Sequence, residues 1–309
     1  MIDKNKNPVD YFKALADDTR VRLINVLSDR ELNVNELVAI FEMGQSRISR
    51  HLKILADTGL VTVRRDGLWA FYRGADIDQK VFSAVAPLVK THPRYREDVD
   101  KADAVFRMRE EESIRFFDAI AEDWDSMKRN IIGAFDLTAR ISERIPRCKV
   151  AADLGCGTGD LLPALLTSAD KVIGIDNSPE MLKKASRRFQ GEESRVDLRI
   201  GQIEHLPLRD SEAGAAVINM VLHHLASPSE GIFESARALE KGGELIIVDL
   251  EKHQNESMRS RYGDRWLGFS PDQIKQWARE AGFSVVEQRS FPLRRRLKAL
   301  FYRLALEPE

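Results

Sequence analysis

The sequence predicts a small α+β domain joined by a long helix to an α/β domain with a mostly parallel sheet. Three observations carry this prediction. Apolar residues recur at helical spacing up to Gly59 and then alternate in two short segments. A charge-rich segment without Gly or Pro follows Pro93. From Lys149 onward, strand-like apolar runs alternate with helical segments, and the first run ends in a glycine-rich loop.

The composition describes a soluble globular chain. At 309 residues, with 43% hydrophobic and 31% charged residues, it has material for two or three domains, which excludes a disordered or collagen-like chain. Apolar runs stay shorter than the roughly 20 residues that cross a bilayer, and the start, MIDKNKNPVDYF, lacks a secretion signal. We therefore expect a cytoplasmic protein without a membrane partner. Its two cysteines, Cys148 and Cys156, exclude a disulfide framework and a four-thiolate zinc site.

The first domain begins with two segments of helical period. Apolar spacing predicts a helix from Asp10 to Leu27 and another over Val34–Phe41. Gly44 supplies a tight reversal, and Ser46 is the predicted N-cap of a helix that ends before Gly59. Two helices joined through such a turn form a helix-turn-helix.

After Gly59 the period changes to that of strands. The segments LVTVRR and LWAFYR alternate around Asp66-Gly67, a strong hairpin signal, and predict a wing. The stretch LADDTRVRLINVL…ISRHLKILADTGLVTVRRDGLWAFYR closely resembles the ArsR family of bacterial repressors over about residues 8–92. The resemblance implies that residues 1–93 form a winged helix-turn-helix domain for DNA binding and dimerisation. In this family a last helix, here Asp78 to Lys90, packs with the first helix in a homodimer.

Candidate DNA-contacting residues lie on the second helix of this motif and on the wing. The helix would enter the major groove of double-stranded operator DNA, where its polar side chains reach base edges and phosphates. The wing arginines would neutralise phosphates or enter a narrow minor groove. The alternative is a basic, solvent-exposed face of a protein-interaction module. The candidates are Gln45, Ser46, Arg47, Ser49, Arg50, His51, Lys53, Arg64 and Arg65.

One departure from the family bears on the signal that the protein receives. Metal-sensing members carry Cys in a segment resembling ELCVCDL, whereas this chain has ELNVNEL, with Asn33 and Asn35 at the thiolate positions. Carboxamide oxygens are poor ligands for soft metals. Asp76, Asp78 and His92 lack convincing ligand spacing. The sequence therefore predicts no metal site, and we expect another small-molecule effector.

The second domain opens with a strand, a glycine loop and a helix. The run KVAADLG leads into Gly155-Cys156-Gly157-Thr158-Gly159, and the next strand, KVIGID, ends on Asp176. A Rossmann-like unit places the acid that accepts ribose hydroxyls about 20 residues after the first glycine. Later strand-like segments at 196–201, 215–220 and 242–250 alternate with helices. We assign residues 94–130 to a helical linker and 131–309 to this Rossmann-like domain.

Five segments in order resemble the class I S-adenosylmethionine-dependent methyltransferases: ADLGCGTGD, IDNSPEML, GQIEHLPL, VLHHLASP and LEKGGELIIVDL. The resemblance implies S-adenosylhomocysteine or S-adenosylmethionine as ligand. Asp153, Gly155 and Gly157 would approach its amino-acid portion, and Asp176 would accept both ribose hydroxyls. Asn177 and Met181 would flank the adenine, the Ile203 amide would reach the adenine edge, Gln202 stands where Asp is commoner, and Asn219 would lie beside the methionine portion. NAD is the alternative, but the loop is GxGxG rather than GxGxxG.

His223 and His224 end the fourth-strand segment, where a substrate pocket would open. They could orient a methyl acceptor or act as a general base. The alternative is structural, with one ring packed and the other capping or lining the pocket. A metal pair would need further ligands, for which His205 and His253 are candidates by residue type alone.

The fusion predicts two functions of different classes. In the first, which we favour, a dimeric repressor binds S-adenosylhomocysteine or S-adenosylmethionine as an effector, and resembles regulators of the methionine cycle. In the second, an active small-molecule methyltransferase carries an autoregulatory DNA-binding domain, with no catalytic residue assignable from sequence. DNA methylation is disfavoured because DPPY-like and PC-containing motifs are absent. The basic run from Arg289 to Arg303 is interpreted as a last strand plus a surface patch.

Overall fold

The computed structural model describes residues 7–28, 30–75, 92–133 and 136–307. The chain divides into two compact units, Met1–Arg109 and Glu110–Glu309. The predicted linker contributes residues to both units. The helix predicted over Asp78–Lys90 lies outside the described residues. Among the ranges that are described, no helix is long and apolar enough to cross a membrane.

The first unit combines short helices with an antiparallel sheet of strand order β1-β3-β2. Its core is aliphatic and includes Ile48, Leu52 and Leu55, which form the buried face of α4. The elements are α1 (Pro8–Leu15), α2 (Asp18–Leu27), β1 (Leu32–Asn33), α3 (Val34–Phe41), α4 (Gln45–Thr58), β2 (Val61–Asp66), β3 (Trp69–Gly74) and the first part of α5 (Pro93–Ile120). The helix-turn-helix and the hairpin wing are therefore present.

The single helix predicted from Asp10 to Leu27 is wrong, because the chain breaks between α1 and α2. Ala16 leaves the helical region with ψ of 48°. The Asp17 side chain then accepts a hydrogen bond from the Arg20 amide at 3.1 Å and caps α2. An aspartate that can bond to nearby amides favours a helix start over a helix interior, and apolar spacing alone does not register such a cap.

The turn between α3 and α4 also differs from the prediction. Glu42, not Gly44, takes the left-handed conformation, with φ 53° and ψ 39°. Gly44 is the N-cap of α4, which therefore begins without a side-chain capping bond. Ser46 therefore lies inside the first turn of the helix, and its prediction as N-cap is wrong.

The wing is shifted by one residue from its predicted turn. Asp66 still pairs with Trp69 in the β2-β3 ladder. The two-residue loop is therefore Gly67-Leu68, in which Gly67 has φ of 58°. Glycine tolerates this conformation because it lacks a Cβ atom.

Helix α5 is held to the first unit by ion pairs. Arg22 donates two hydrogen bonds of 2.6 Å to the Asp98 carboxylate, and the two side chains are only 8% and 3% exposed. Arg109 pairs with Glu36 at the end of this part of the helix. A bidentate arginine–carboxylate pair fixes distance and orientation together, so these contacts set the position of α5 against α2 and α3.

The second unit is a seven-stranded sheet of order β6-β5-β4-β7-β8-β10-β9. Neighbouring strands from β6 to β8 are parallel, and β10 is antiparallel to β8 and to β9. The strands are β4 (Cys148–Leu154), β5 (Ala169–Asp176), β6 (Val196–Ile200), β7 (Ala213–Asn219), β8 (Leu239–Leu250), β9 (Phe283–Pro292) and β10 (Lys298–Leu306). This is the mostly parallel, Rossmann-like sheet that the sequence predicts.

The helices of this unit are the end of α5, α6 (Trp124–Ile132), α7 (Leu137–Ser142), α8 (Leu162–Leu165), α9 (Pro179–Arg188), α10 (Pro228–Ala238), α11 (Ser257–Tyr262) and α12 (Pro271–Glu280). The predicted linker, residues 94–130, is therefore divided between two helices and is not one long helix. The chain turns after Ile120, where the Asp123 amide donates to the Ile120 carbonyl at 2.9 Å. The basic C-terminal run forms two strands, in which Arg303 pairs with Glu244.

We expect Asp98→Ala to destabilise the first unit by about 3 kcal/mol or more, because it leaves the buried Arg22 guanidinium unpaired. Glu97→Ala on the same helix is the matched control, since Glu97 is 64% exposed and pairs with Lys101 at the surface. Its cost should be about 1 kcal/mol or less. Urea unfolding followed by circular dichroism measures both, and equal losses would contradict this assignment.

Candidate functional site

A cavity opens at the carboxyl ends of the parallel strands β4, β5 and β7. In open α/β sheets this edge, where loops from neighbouring strands converge, is the usual ligand site. The cavity encloses about 1040 Å³, counting its solvent-open mouth. The structure brings all nine predicted ligand-binding residues to its wall: Asp153, Gly155, Gly157, Asp176, Asn177, Met181, Gln202, Ile203 and Asn219.

The glycine loop is fixed by Asp176. One carboxylate oxygen accepts from the Gly157 amide at 2.7 Å, and the other accepts from the Ser178 amide at 2.9 Å. The Ile175 carbonyl accepts from the Gly155 and Cys156 amides, both at 2.8 Å. Gly155 has φ of 82°, and a Cβ atom there would lie 2.6 Å from Val221. The loop therefore needs glycine at this position both for its backbone and for its packing.

Two buried acceptors on the cavity wall have no donor. Asp153 Oδ2 and Asn219 Oδ1 make no hydrogen bond with any described residue. Burial raises the pKa of Asp153 to about 7, with Asp176 and Asp160 acting in the same direction and Lys128 opposing them. A buried acceptor without a donor is costly, so this part of the wall is suited to a ligand that brings positively charged N–H groups.

One wall of the cavity comes from residues that the sequence assigns to the linker. Phe117 and Trp124 are in edge-to-face contact, with ring centroids 5.5 Å apart. Gln202 donates to Glu110 at 3.2 Å. Lys128, also on the wall, pairs with Asp160. The sequence did not predict this wall, although the aromatic residues of FFDAIAEDWD interrupt the charged pattern of this segment.

The two histidines after β7 are buried side by side, with ring centroids 4.0 Å apart. His223 Nδ1 lies 2.7 Å from Asp249, and the two carboxylates of Asp249 and Asp264 raise the His223 pKa to about 9 against the effect of burial. His224 lines the cavity, and burial holds its pKa well below the usual range. Asp264 joins them from a distant segment.

The predicted DNA-contacting residues of α4 divide between two faces. Ser49 is half-buried, and His51 is buried with its Nδ1 3.6 Å from Asp17. Burial lowers the pKa of His51, so its ring lies with the core rather than with the exposed basic face. Lys53 pairs with Asp57 at 2.8 Å. The exposed candidates are Gln45, Ser46, Arg47, Arg50 and Lys53.

The two wing arginines also differ. Arg64 donates to the Glu31 carboxylate at 2.9 and 2.7 Å and stacks over Phe71, 4.4 Å from its centroid. The Arg64 guanidinium is therefore turned back onto the domain, towards Glu31 and Phe71. Arg65 is exposed and follows it in β2.

Two family models match the chain, one in each unit. Residues 17–63 match the bacterial regulatory protein, arsR family, and residues 152–247 match the methyltransferase domain. The arsenic resistance regulator ArsR1 of Pseudomonas putida is 45% identical over 67 residues, which are 21% of this chain and 52% of that protein. The demethylmenaquinone methyltransferase of Desulfitobacterium hafniense is 28% identical over 210 residues, 62% of this chain and 80% of that one.

The structural comparison supports the same division. A chain from the complex between the Haloferax volcanii Trm112 methyltransferase activator and the putative methyltransferase superimposes with a TM-score of 0.53. The sequence identity is 21%, and the match covers 62% of this chain and 98% of that one. The matches to the first curated relatives span only 29% and 44% of their lengths. The chain thus joins a helix-turn-helix region similar to the arsR family of bacterial regulatory proteins to a Rossmann-like fold similar to methyltransferase domains.

Proposed function

We propose that this fusion is a dimeric transcriptional repressor whose methyltransferase-like unit binds S-adenosylhomocysteine or S-adenosylmethionine as effector. The effector would control binding to operator DNA, with genes of the methionine cycle as the expected targets. One observation carries the proposal: the cavity wall combines a glycine loop with buried acceptors that lack donors among the described residues, in a chain whose helix α4 also has an exposed polar and basic face.

The ligand chemistry fits the wall in parts. Asp153 Oδ2 and Asn219 Oδ1 would accept from the ammonium group of the amino-acid portion, which removes their lack of donors. Asp176 already orients two backbone amides and would accept the ribose hydroxyls. Met181 and Ile203 offer apolar contact to the adenine. The site would hold either ligand, because both carry these three groups.

A second copy of the chain fits the first helix. Val9 is 49% exposed and Phe12 69% exposed on α1. Exposed apolar side chains on one helix favour a contact with another surface. A homodimer would set two copies of α4 about one turn of DNA apart, roughly 34 Å, for a pseudo-palindromic operator.

Helix α5 supplies a physical route for the signal. In the first unit, the α5 residues Asp98 and Arg109 form ion pairs with Arg22 and Glu36. In the second unit, the α5 residues Glu110, Ser113 and Phe117 line the cavity. A ligand that contacts the cavity-lining residues of α5 would therefore act on the same helix that forms the ion pairs in the first unit. It changes DNA affinity only if it binds two conformations unequally, and a coupling of about 1 to 3 kcal/mol would suffice for several-fold to hundredfold derepression.

The second candidate is an active small-molecule methyltransferase. The specific observation in its favour is His224, whose lowered pKa keeps an imidazole neutral at the cavity wall. A neutral imidazole can act as a general base. Consumption of S-adenosylmethionine with a supplied acceptor, and no effect of either ligand on DNA binding, would favour this candidate.

We expect S-adenosylhomocysteine to change operator affinity several-fold, and Asp153→Asn to abolish that response without weakening DNA binding. The substitution removes the negative charge that strengthens the hydrogen bond to the ligand ammonium, and it places an amide NH₂ donor where an acceptor is needed. Asp210→Asn, which removes an 80% exposed carboxylate, is the control. Fluorescence anisotropy with labelled upstream DNA at fixed salt measures both. If both ligands bind and neither changes DNA affinity, the effector proposal fails.

The affinity for S-adenosylhomocysteine should rise with pH up to about 7 and then level off. Below its pKa of about 7, Asp153 is protonated in the free protein. Binding the ligand ammonium then requires loss of that proton, so affinity falls about tenfold per pH unit below 7. Calorimetric titration from pH 5.5 to 8.5 measures the slope. Asp153→Asn should remove it, and an unchanged slope in that variant would assign the proton elsewhere.

Arg50→Ala should weaken operator binding by about 1 to 3 kcal/mol, and should reduce the salt slope if Arg50 contacts a phosphate. Arg107→Ala removes an exposed arginine of α5 in the same unit and is the control.

Arg64→Ala should reduce stability more than DNA affinity, because Arg64 pairs with Glu31. Anisotropy across a salt series gives the affinities, and urea unfolding followed by circular dichroism gives the stability of Arg64→Ala. Equal losses for Arg50→Ala and Arg107→Ala would argue against α4 as the recognition helix.

A further inference from the structure

We propose that His223, His224 and Asp264 form a binding site for one divalent transition-metal ion. Each residue offers one ligand atom, and the three atoms lie within 4.8 Å of one another. The site lies in the second unit and shares only His224 with the cavity wall. It goes beyond the proposed effector function and does not depend on it.

The two imidazole rings are oriented as metal ligands are. His223 Nδ1 donates to the Asp249 carboxylate at 2.7 Å, and His224 Nδ1 donates to the Gly263 carbonyl at 3.2 Å. In its neutral form each ring therefore carries its lone pair on Nε2. A histidine that binds a metal usually donates its other ring nitrogen to a carboxylate or carbonyl in this way.

Asp264 provides an independent indication of a bound cation. Its side chain is 0% exposed, and neither carboxylate oxygen has a hydrogen-bond donor among the described residues. One of these oxygens lies 3.8 Å from His223 Nε2, which is too far for a hydrogen bond. A buried carboxylate without donors is unfavourable, and a metal ion placed between these groups would satisfy it.

The backbone positions Asp264 next to histidines that are distant in sequence. The His223 carbonyl accepts hydrogen bonds from the amides of Arg265 and Trp266, at 2.9 and 3.0 Å. The segment after α11 is thereby held against the turn after β7. Ligands around a tetrahedral ion lie about 3.4 Å apart, so binding requires the 3.8 Å gap between His223 and Asp264 to close, together with the rest of a set that spans up to 4.8 Å.

The ligand set selects the class of metal. Two imidazole nitrogens and one carboxylate oxygen suit Zn²⁺, Co²⁺ or Fe²⁺, whereas Mg²⁺ and Ca²⁺ prefer oxygen ligands throughout. Three protein ligands leave at least one coordination position for water or a cavity ligand. His224 and Arg265 both line the cavity, which gives an ion access from solvent.

The test is titration of the full-length, chelator-treated protein with Co²⁺, followed by visible absorption and by thermal unfolding. We expect one saturable equivalent, displaced by Zn²⁺ but not by Mg²⁺, with a melting temperature that rises with metal concentration. Asp264→Asn should lose the absorption band. Asp249→Asn should weaken binding by about 10- to 100-fold, because Asp249 only orients His223.

His205→Ala is the matched control, since His205 is exposed and lies outside the cluster. It should bind Co²⁺ as the unsubstituted protein does. Circular dichroism establishes that each variant is folded, and His224→Gln replaces Asp264→Asn if the latter is not. Absence of a saturable equivalent, or binding that persists in a folded His224→Gln or Asp264→Asn variant, would overturn the proposal and leave a buried histidine–carboxylate ion pair.

Discussion

The cavity depends on the two hydrogen bonds that the Asp176 carboxylate accepts. The Gly157 amide belongs to the loop after β4 and the Ser178 amide to the N-cap of α9, so a single side chain at the end of β5 holds both loops. The neighbouring Ile175 carbonyl fixes the Gly155 and Cys156 amides. These bonds hold backbone close to the ligand region without a Cβ atom between them. The cavity lies at the carboxyl-terminal edge of the parallel sheet, and the Asp176 carboxylate fixes the loops that form its wall.

This dependence explains why the wall built on the sheet was predictable. Strand ends of a parallel sheet meet at one edge, so residues that follow predicted strands, such as Asp153, Asp176 and Asn219, must converge there. The contribution of Phe117 and Trp124 was not predictable in the same way. Their segment has the charge and period of an exposed helix, and its break after Ile120 depends on a local turn rather than on an apolar pattern. Asp264 was not predicted to join His223 and His224, because it lies far from them in sequence and no local pattern indicates their contact.

In the first unit, the sequence period predicted the helices and strands well, but it predicted poorly where individual side chains point. The order of helices and strands followed from spacing and turn signals, including Val34–Phe41 as observed. The period could not show that His51 lies on the buried face or that Arg64 turns back to Glu31. Both depend on partners elsewhere in the unit, Asp17 and Glu31, which would compete with DNA for the same polar groups. Whether a basic side chain is available to contact DNA thus depends on its intramolecular partners, which the sequence alone does not show.

Asp153 and Asp264 pose the same electrostatic problem in one domain. Each is a buried carboxylate, and Asp153 Oδ2 and both oxygens of Asp264 lack hydrogen-bond donors among the described residues. A fold maintained only for stability would replace such groups with apolar residues of similar volume. Their presence on and beside one cavity therefore favours binding of cations, an organic ammonium at Asp153 and a metal at Asp264. Because His224 lines the cavity and belongs to the cluster with His223 and Asp264, a metal bound as proposed would change the electric field in the cavity. A ligand that enters the cavity would then sense the metal state of the protein directly, without any change in the sheet.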